Sequence, residues 1–395
     1  RQVRAIFRRQ GNLAYRQGRA VAIDLEDRVV ALDGGGRLPF DYLVLAPGAV
    51  SNDFGVPGVR EHAFFLKTLT EAVNLRSRVL EQFERATRDA AALIDGSLTF
   101  VIAGGGPTGV ELAGALAELC GKVLVRDFPM VPREAVRVVL LEMRDHLLDG
   151  FGSSSQRYAR QLLERRGVEV RLGAAVEAVH GDRVALRGSV SLACRTVIWV
   201  AGVRGEPLAG SLGVPLAGGG RVPTAADLSL PRAPRVFVAG DLASPPGSTL
   251  PQTAPVAIQE GRHAGADIAR RLQGRPARAF RYLDKGRMAI IGRSAGIAEL
   301  SPRLLGVRAR GHAGWLAWLL VHLVYLPGYR NRVGALLDWA HNYLTWERHT
   351  RLITPMVPSP GDTARRDALP GRAPRARREL PECRGGADAG RPRGP

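Results

Sequence analysis

Residues 98–114 read LTFVIAGGGPTGVELAG, and this stretch decides the fold. An apolar, strand-forming run (Leu98, Phe100, Val101, Ile102, Ala103) leads straight into Gly104, Gly106 and Gly109, and a helical pattern opens near Thr108. Strand, glycine turn and helix N-terminus in that order are the signature of a dinucleotide fold. Gly104 permits the tight turn, Gly106 leaves room for a pyrophosphate to approach the backbone, and Gly109 lets helix and strand pack closely. The helix N-terminus offers N–H groups and a positive dipole end to phosphates. A glycine turn alone would be weak, because such turns are common. Here a second strand, 136–142 (VRVVLLE), ends in an acid.

That acid, Glu142, stands where such folds place the carboxylate that accepts hydrogen bonds from the adenosine ribose. It would repel a 2′-phosphate, so NADH is expected over NADPH. A solvated strand-end glutamate is the competing reading. The gap from the glycines exceeds the usual spacing of about twenty residues, so 119–133 is expected to be an inserted loop.

The chain has 395 residues, enough for two or three domains, and its 45% apolar content is that of a folded protein. A net charge of +19 raises nucleic acid as a partner. Only 6% of residues are aromatic, no basic run is interleaved with stacking aromatics, and Arg far outnumbers Lys. The composition fits an anionic membrane surface better, and no nucleic-acid partner is expected. Cys120, Cys194 and Cys383 form no metal-ligand or CxxC pattern, which makes a reducing, cytosol-facing location the default. No apolar stretch reaches the twenty or so residues of a spanning helix.

Along the chain, 21–25 and 29–32 read as a hairpin, 40–46 (FDYLVLA) as a buried strand, and 69–92 as a helix. Within the dinucleotide unit a helix at 156–166 precedes strands at 168–172 and 197–201. A buried strand at 236–239 ends in Gly240-Asp241, and 253–272 reads as a helix. Four of the five tryptophans fall between 315 and 346. Residues 315–326 (WLAWLLVHLVYL) are apolar but for His322. As a helix these twelve residues span about 18 Å, short of a ~30 Å hydrocarbon core. The next segment puts Val333, Leu336, Leu337, Ala340 and Leu344 on one face, flanked by Arg330, Arg332, Arg348 and Arg351. Such helices suit a monotopic membrane anchor; paired core or dimer-interface helices are the alternative. After Pro355, Arg, Pro and Gly dominate, and a disordered tail is expected.

Taken together, FDYLVLAPGA (40–49), GGGPTGVELAG (104–114), VIWVAGV (197–203), VFVAGDLA (236–243), APVAIQEGRHAG (254–265), YLDKGRMAIIGR (282–293) and the Trp-rich segment resemble the type II NADH dehydrogenases. These are non-proton-pumping NADH:quinone oxidoreductases of the two-dinucleotide-binding flavoprotein superfamily, and the resemblance covers about 1–354. It implies an α/β fold of tandem Rossmann-like domains with FAD and NADH as cofactors. The layout would be a first segment of the FAD-binding domain (1–96), an inserted NAD-binding domain (97–206), a second FAD segment (207–310), amphipathic anchoring helices (311–354) and the tail (355–395).

By the same resemblance, Asp241 bonds the FAD ribityl chain and Gly240 makes its turn. Ala46, Pro47 and Gly48 form the turn approaching FAD, with proline where the family usually has threonine. Gly202 and Ala257 also border the cofactors. Glu111 lies beside nicotinamide and flavin, although its position also permits a plain first-turn dipole role. Lys285 lies near the flavin pyrimidine edge, where a cation would stabilise reduced flavin; a solvated turn lysine is the alternative. The quinone-site helix keeps Ala254 and Gln259, while Pro255 replaces the family's first glutamine.

The superfamily's first βαβ unit and its glycine motif have no counterpart before Gly104. The resemblance thus implies that roughly eighty residues of a complete protein precede Arg1, an estimate from ordinary domain size. The strands at 40–46 and 236–239 would flank that unit. The implied activity is hydride transfer from NADH to FAD and two-electron reduction of a membrane quinone, at the cytoplasmic face of the inner membrane, with a homodimer left open. A disulfide or ferredoxin reductase of the superfamily and a non-catalytic NADH-binding sensor are the rivals. The short Trp-rich end argues against the reductases.

Overall fold

The computed structural model describes residues 3–247, 250–303, 306–326, 328–345 and 353–356. Arg1–Pro355 form one compact unit; of the second, Met356–Pro395, only Met356 is described. Most of the expected tail, together with Arg348 and Arg351, lies outside the described residues.

The chain opens with an antiparallel meander, β1 (Ala20–Asp24), β2 (Val29–Leu32) and β3 (Arg37–Pro39). The run at 40–46 yields only a short strand, β4 (Leu43–Leu45), with Val44 41% exposed. It pairs in parallel with a later strand at Ala233–Val238, Leu43 opposite Val236 and Leu45 opposite Val238. The two strands therefore pair with each other directly instead of flanking a third.

The centre of the molecule is a parallel sheet of β5 (Ala63–Phe65), β6 (Thr99–Ala103), β7 (Arg137–Leu141), β8 (Val168–Arg171) and β12 (Thr196–Trp199), in the order β5-β12-β6-β7-β8. Between β8 and β12 the chain makes an antiparallel meander, β9 (Val176–Val179), β10 (Arg183–Leu186) and β11 (Val190–Ala193). Both faces of the sheet are covered, which is why its strands are apolar without alternation. Phe100 and Ile102 face a core shared with helix α1 (Leu69–Arg88), where Phe83 stacks on Phe100 at 6.3 Å. Val101, Ala103, Val139 and Leu141 face the meander's Val179, Val184 and Leu192. Each fully buried leucine or phenylalanine here is worth roughly 1.5–3 kcal/mol. Because β5 and α1 join this sheet and core, the dinucleotide unit draws on residues before 97.

The glycine-turn helix, α2 (Pro107–Glu118), does not give way to a loop. A π-helical turn, Leu119–Leu124, carries it on, followed by a helical turn at Val125–Asp127. Cys120, Val123 and Leu124 are buried. Residues 119–127 of the expected inserted loop are thus a helical extension held by its own apolar face, and 128–132 form the turn that remains. Helix α3 (Ser153–Arg165) precedes β8.

Beyond the strand pairing with β4, numbered β13 (Ala233–Val238), comes helix α4 (Ala254–Leu272). A three-stranded antiparallel sheet follows: β14 (Gly286–Ile290), β15 (Gly296–Leu300) and β16 (Arg308–Gly311). Helix α5 (His312–Tyr325) lies directly on it, because Gly296 and Gly314 bring their backbones together. Helix α6 (Tyr329–Thr345) packs back on α5 through Trp318 and Trp339, 6.5 Å between centroids, and Trp315 and Tyr343 at 5.3 Å.

Candidate functional site

The glycine turn has the geometry its sequence demands. Gly104 has φ +120°, and a side chain there would meet the Ala201 Cα and Val200 O at 2.7 Å. A Cβ on Gly109 would run into the Gly104 carbonyl, so helix and turn touch there. A Cβ on Gly106, the residue before α2, would meet nothing within 4 Å. The open side of the turn is therefore at the helix N-terminus, where a phosphate group would sit. Glu142 stands directly after β7. Its Oε2 accepts from Gly105 N at 2.6 Å and its Oε1 from Arg144 N at 2.9 Å. The long gap from the glycines is absorbed by the helical extension, and the acid still reaches the turn.

The second cluster gathers at Gly240-Asp241. Gly240 (φ +77°) follows β13 and faces Ala257 of α4, its notional Cβ 3.5 Å from the alanine Cβ. Asp241 pairs with Lys67 Nζ at 3.4 Å and is largely covered, and its carbonyl accepts from Gln252 Nε2 at 2.9 Å. Gly48 (φ +79°) has open space where a side chain would stand, and Ala46 is exposed, two residues earlier. Gly202 holds Asn52 N through its carbonyl at 3.0 Å and lies under the Phe54 ring.

Lys67 escaped sequence reading, although FFLKTL immediately precedes α1. The helix begins with a capping box in which Thr68 and Glu71 bond each other's backbone N–H, and this fixes where Lys67 points. Glu260 was also missed. It is fully buried, its Oε2 accepting from Gly240 N at 2.6 Å while Oε1 has no hydrogen-bond partner. Burial pushes its carboxyl up to about 7. Among the expected quinone-site residues, Ala254 opens α4 and is exposed. The Gln259 carboxamide is spent on Leu283, donating to its carbonyl and accepting from its N–H, both at 3.0 Å. It fixes the segment leading to Lys285.

Glu111 and Lys285 are not brought together. Lys285 immediately precedes β14, whereas Glu111 Oε1 accepts from Ile290 N, at the strand's far end, at 3.1 Å. Five strand residues separate them by roughly 16 Å. Helix α5 reaches both. Tyr325 accepts from Lys285 Nζ at 3.1 Å, and Trp318, two turns earlier, bonds the Glu111 carboxylate. Burial raises the Glu111 carboxyl above its ordinary range against these two hydrogen bonds. Its carboxylate lines an apolar cavity of about 320 Å³ walled by Ile290, Trp315, Trp318, Leu319, Trp339 and Tyr343. The cavity thus lies between the dinucleotide helix and the C-terminal helices. Glu118 closes it on the α2 side, paired with Arg166 and accepting from Arg293 N at 2.5 Å.

Residues 4–261 match the pyridine nucleotide-disulphide oxidoreductase family. The type II NADH:quinone oxidoreductase NdhA of Mycobacterium tuberculosis is 37% identical over 369 residues, covering 89% of this chain and 77% of the relative. A second such protein from that organism, Ndh, is 35% identical over 89% of this chain and 78% of its own. Among solved structures, NDH2 from Plasmodium falciparum in complex with NADH superposes with a TM-score of 0.76 at 17% identity, over 85% of each chain. That likeness is one of fold. The chain belongs to the pyridine nucleotide-disulphide oxidoreductase family, among its type II NADH:quinone oxidoreductases.

Proposed function

We propose that this chain is a flavin-dependent NADH:quinone oxidoreductase that takes hydride from NADH and delivers two electrons to a quinone without pumping protons. The observation that carries this reading is the Glu111 cavity. An aromatic, apolar chamber fit for a hydrophobic acceptor opens from the very helix whose N-terminus forms the nucleotide turn. The residues around Gly240 fit FAD: glycines at 48 and 240 in left-handed conformation let a ligand approach the backbone, and Asp241 is paired with Lys67. FAD, when bound, supplies hydride acceptance and electron donation.

The protein's own groups bind, orient and tune. Gly106 and the α2 N-terminus receive the NADH pyrophosphate, and Glu142 the adenosine ribose. Asp241, Gly240, Gly48, Ala46, Gly202 and Ala257 border the flavin. Glu111, its carboxyl raised by burial, stands at the chamber wall next to the acceptor. Lys285, pinned by Tyr325, supplies a cation. Gln259 positions that lysine through Leu283, while Ala254, exposed at the start of α4, does not line the chamber.

The membrane is read from α5 and α6. No helix among the described residues is long and apolar enough to cross a bilayer. Leu316, Leu320 and Val324 nonetheless form an exposed stripe at four-residue spacing, joined by Leu336 and Leu337 of α6. With Arg330 and Arg332 beside it, this face suits the anionic surface of a cytoplasmic leaflet more than a homodimer contact. The test is anaerobic: the FAD-loaded holoenzyme should show flavin bleaching by NADH and recovery on adding a short-chain naphthoquinone. Flavin that stays oxidised under NADH would overturn the reading. Trp318→Ala should slow the quinone step and leave bleaching intact.

A further inference from the structure

The loop that follows Glu142 carries a charge arrangement that the glycine turn does not need. Leu147 and Leu148 are buried, and Leu148 N donates to Gly105 O at 2.8 Å, so the loop is anchored under the nucleotide turn. The Arg144 backbone is fixed from two sides, its N–H to Glu142 Oε1 and its carbonyl to Gly173 N at 2.8 Å. Its guanidinium therefore starts two residues from the ribose carboxylate. In dinucleotide folds a nearby arginine is what accommodates a 2′-phosphate. Here that guanidinium is taken: it forms an ion pair with Asp149, at the far end of the anchored loop. Asp149 also accepts from His146 Nε2 at 3.4 Å, and His146 Nδ1 meets Asp145 at 2.6 Å.

We propose that Asp149 is a specificity-determining residue for NADH, acting by occupying Arg144 so that no cation answers the 2′-phosphate of NADPH. This rests on the reading of Glu142 at the adenosine ribose. Two anions then face a 2′-phosphate, Glu142 directly and Asp149 through the arginine it holds. An exposed ion pair of this kind contributes little to stability, so its loss leaves the fold alone. A phosphate of charge near −2 is a far better partner for a freed guanidinium, bonding it in bidentate fashion.

The test uses the full chain and measures binding of NAD⁺ and NADP⁺ by calorimetry, with no flavin and no turnover. Asp149→Asn should lower the ratio Kd(NADP⁺)/Kd(NAD⁺) about tenfold, with NAD⁺ affinity and melting temperature unchanged. Asp149→Ser should do the same. Adding Arg144→Ala to Asp149→Asn should return the ratio to its starting value. Glu142→Gln lowers the ratio independently and reports on the underlying reading. A ratio unmoved by Asp149→Asn but moved by Glu142→Gln overturns this inference alone, as does a gain that survives Arg144→Ala. A chain that binds neither nucleotide, or a Glu142→Gln variant with unchanged preference, overturns the reading of the site and the inference with it.

Discussion

The dinucleotide sheet and the C-terminal helix pair are both rich in apolar residues and use them in opposite ways. Phe100, Val101, Ile102, Val139 and Leu140 are sealed completely between two covering layers. Leu316, Leu320, Val324, Leu336 and Leu337 are 53 to 65% exposed, although their helices are closed on each other by tryptophans. In the first region the apolar pattern finds its partner within the chain and its energy holds the fold. In the second the apolar stripe stays exposed among the described residues, which supports the proposed contact with a membrane surface.

Breaking the first region should cost most. Gly109→Val places a side chain against the Gly104 carbonyl, where neither the turn nor the helix can yield. A loss of about 3 kcal/mol is expected in urea denaturation, together with loss of NAD⁺ binding. Gly106→Val supplies the contrast: its Cβ enters open space, so stability should hold while nucleotide affinity falls. Equal destabilisation by both variants would mean that the open side of the turn has been misplaced.

The second region should answer to the reverse treatment. Leu320→Asp with Leu336→Asp should cut co-sedimentation with anionic vesicles several-fold and leave the melting temperature nearly unchanged. Leu140→Ala, by contrast, should cost about 2–5 kcal/mol and leave membrane binding alone. If the double aspartate variant is as unstable as Leu140→Ala, the helix pair is core, and its exposed stripe has a partner within the chain.

Sequence reading followed the same divide. The central sheet was legible because a strand covered on both faces writes itself as an uninterrupted apolar run ending in glycine, as at 98–104. The α5–α6 pair was legible from its Trp-rich, periodic pattern. Where reading failed, the deciding contact was long-range or the pattern was ambiguous. Residues 119–133 looked like a loop between the glycine-turn helix and the next strand, yet Cys120, Val123 and Leu124 form a buried helical face. The 40–46 run looked like a buried strand but supplies three residues and exposes Val44. The pairing of Lys67 with Asp241 joins positions 174 apart, and Gln259 finds Leu283 from the next element. Neither partner is marked by local periodicity. Glu260 sits among the charged residues of an ordinary amphipathic helix, and only the turn at Gly240 reveals that its side chain points inward.

Glu260 gives the smallest effect and the sharpest one, because it places a charge in a region that otherwise behaves as core. Its carboxyl is raised from 4.5 to about 7, chiefly by burial. The Gly240 N–H bond and the nearby Arg221 charge offset part of that rise. Between these two pH values the unfolded chain releases the proton and the folded chain keeps it, so stability falls as pH rises. Above about 7 both states are ionised, and the full cost of the buried charge persists without growing further. Glu260→Gln keeps an acceptor for Gly240 N and has no proton to lose. The variant should gain on the wild type steadily from pH 4.5 to 7, by a few degrees in melting temperature, and hold that advantage at higher pH. A difference that stays flat across this window would show that Glu260 is ionised in the folded chain well below neutrality, with Arg221 close enough to compensate it.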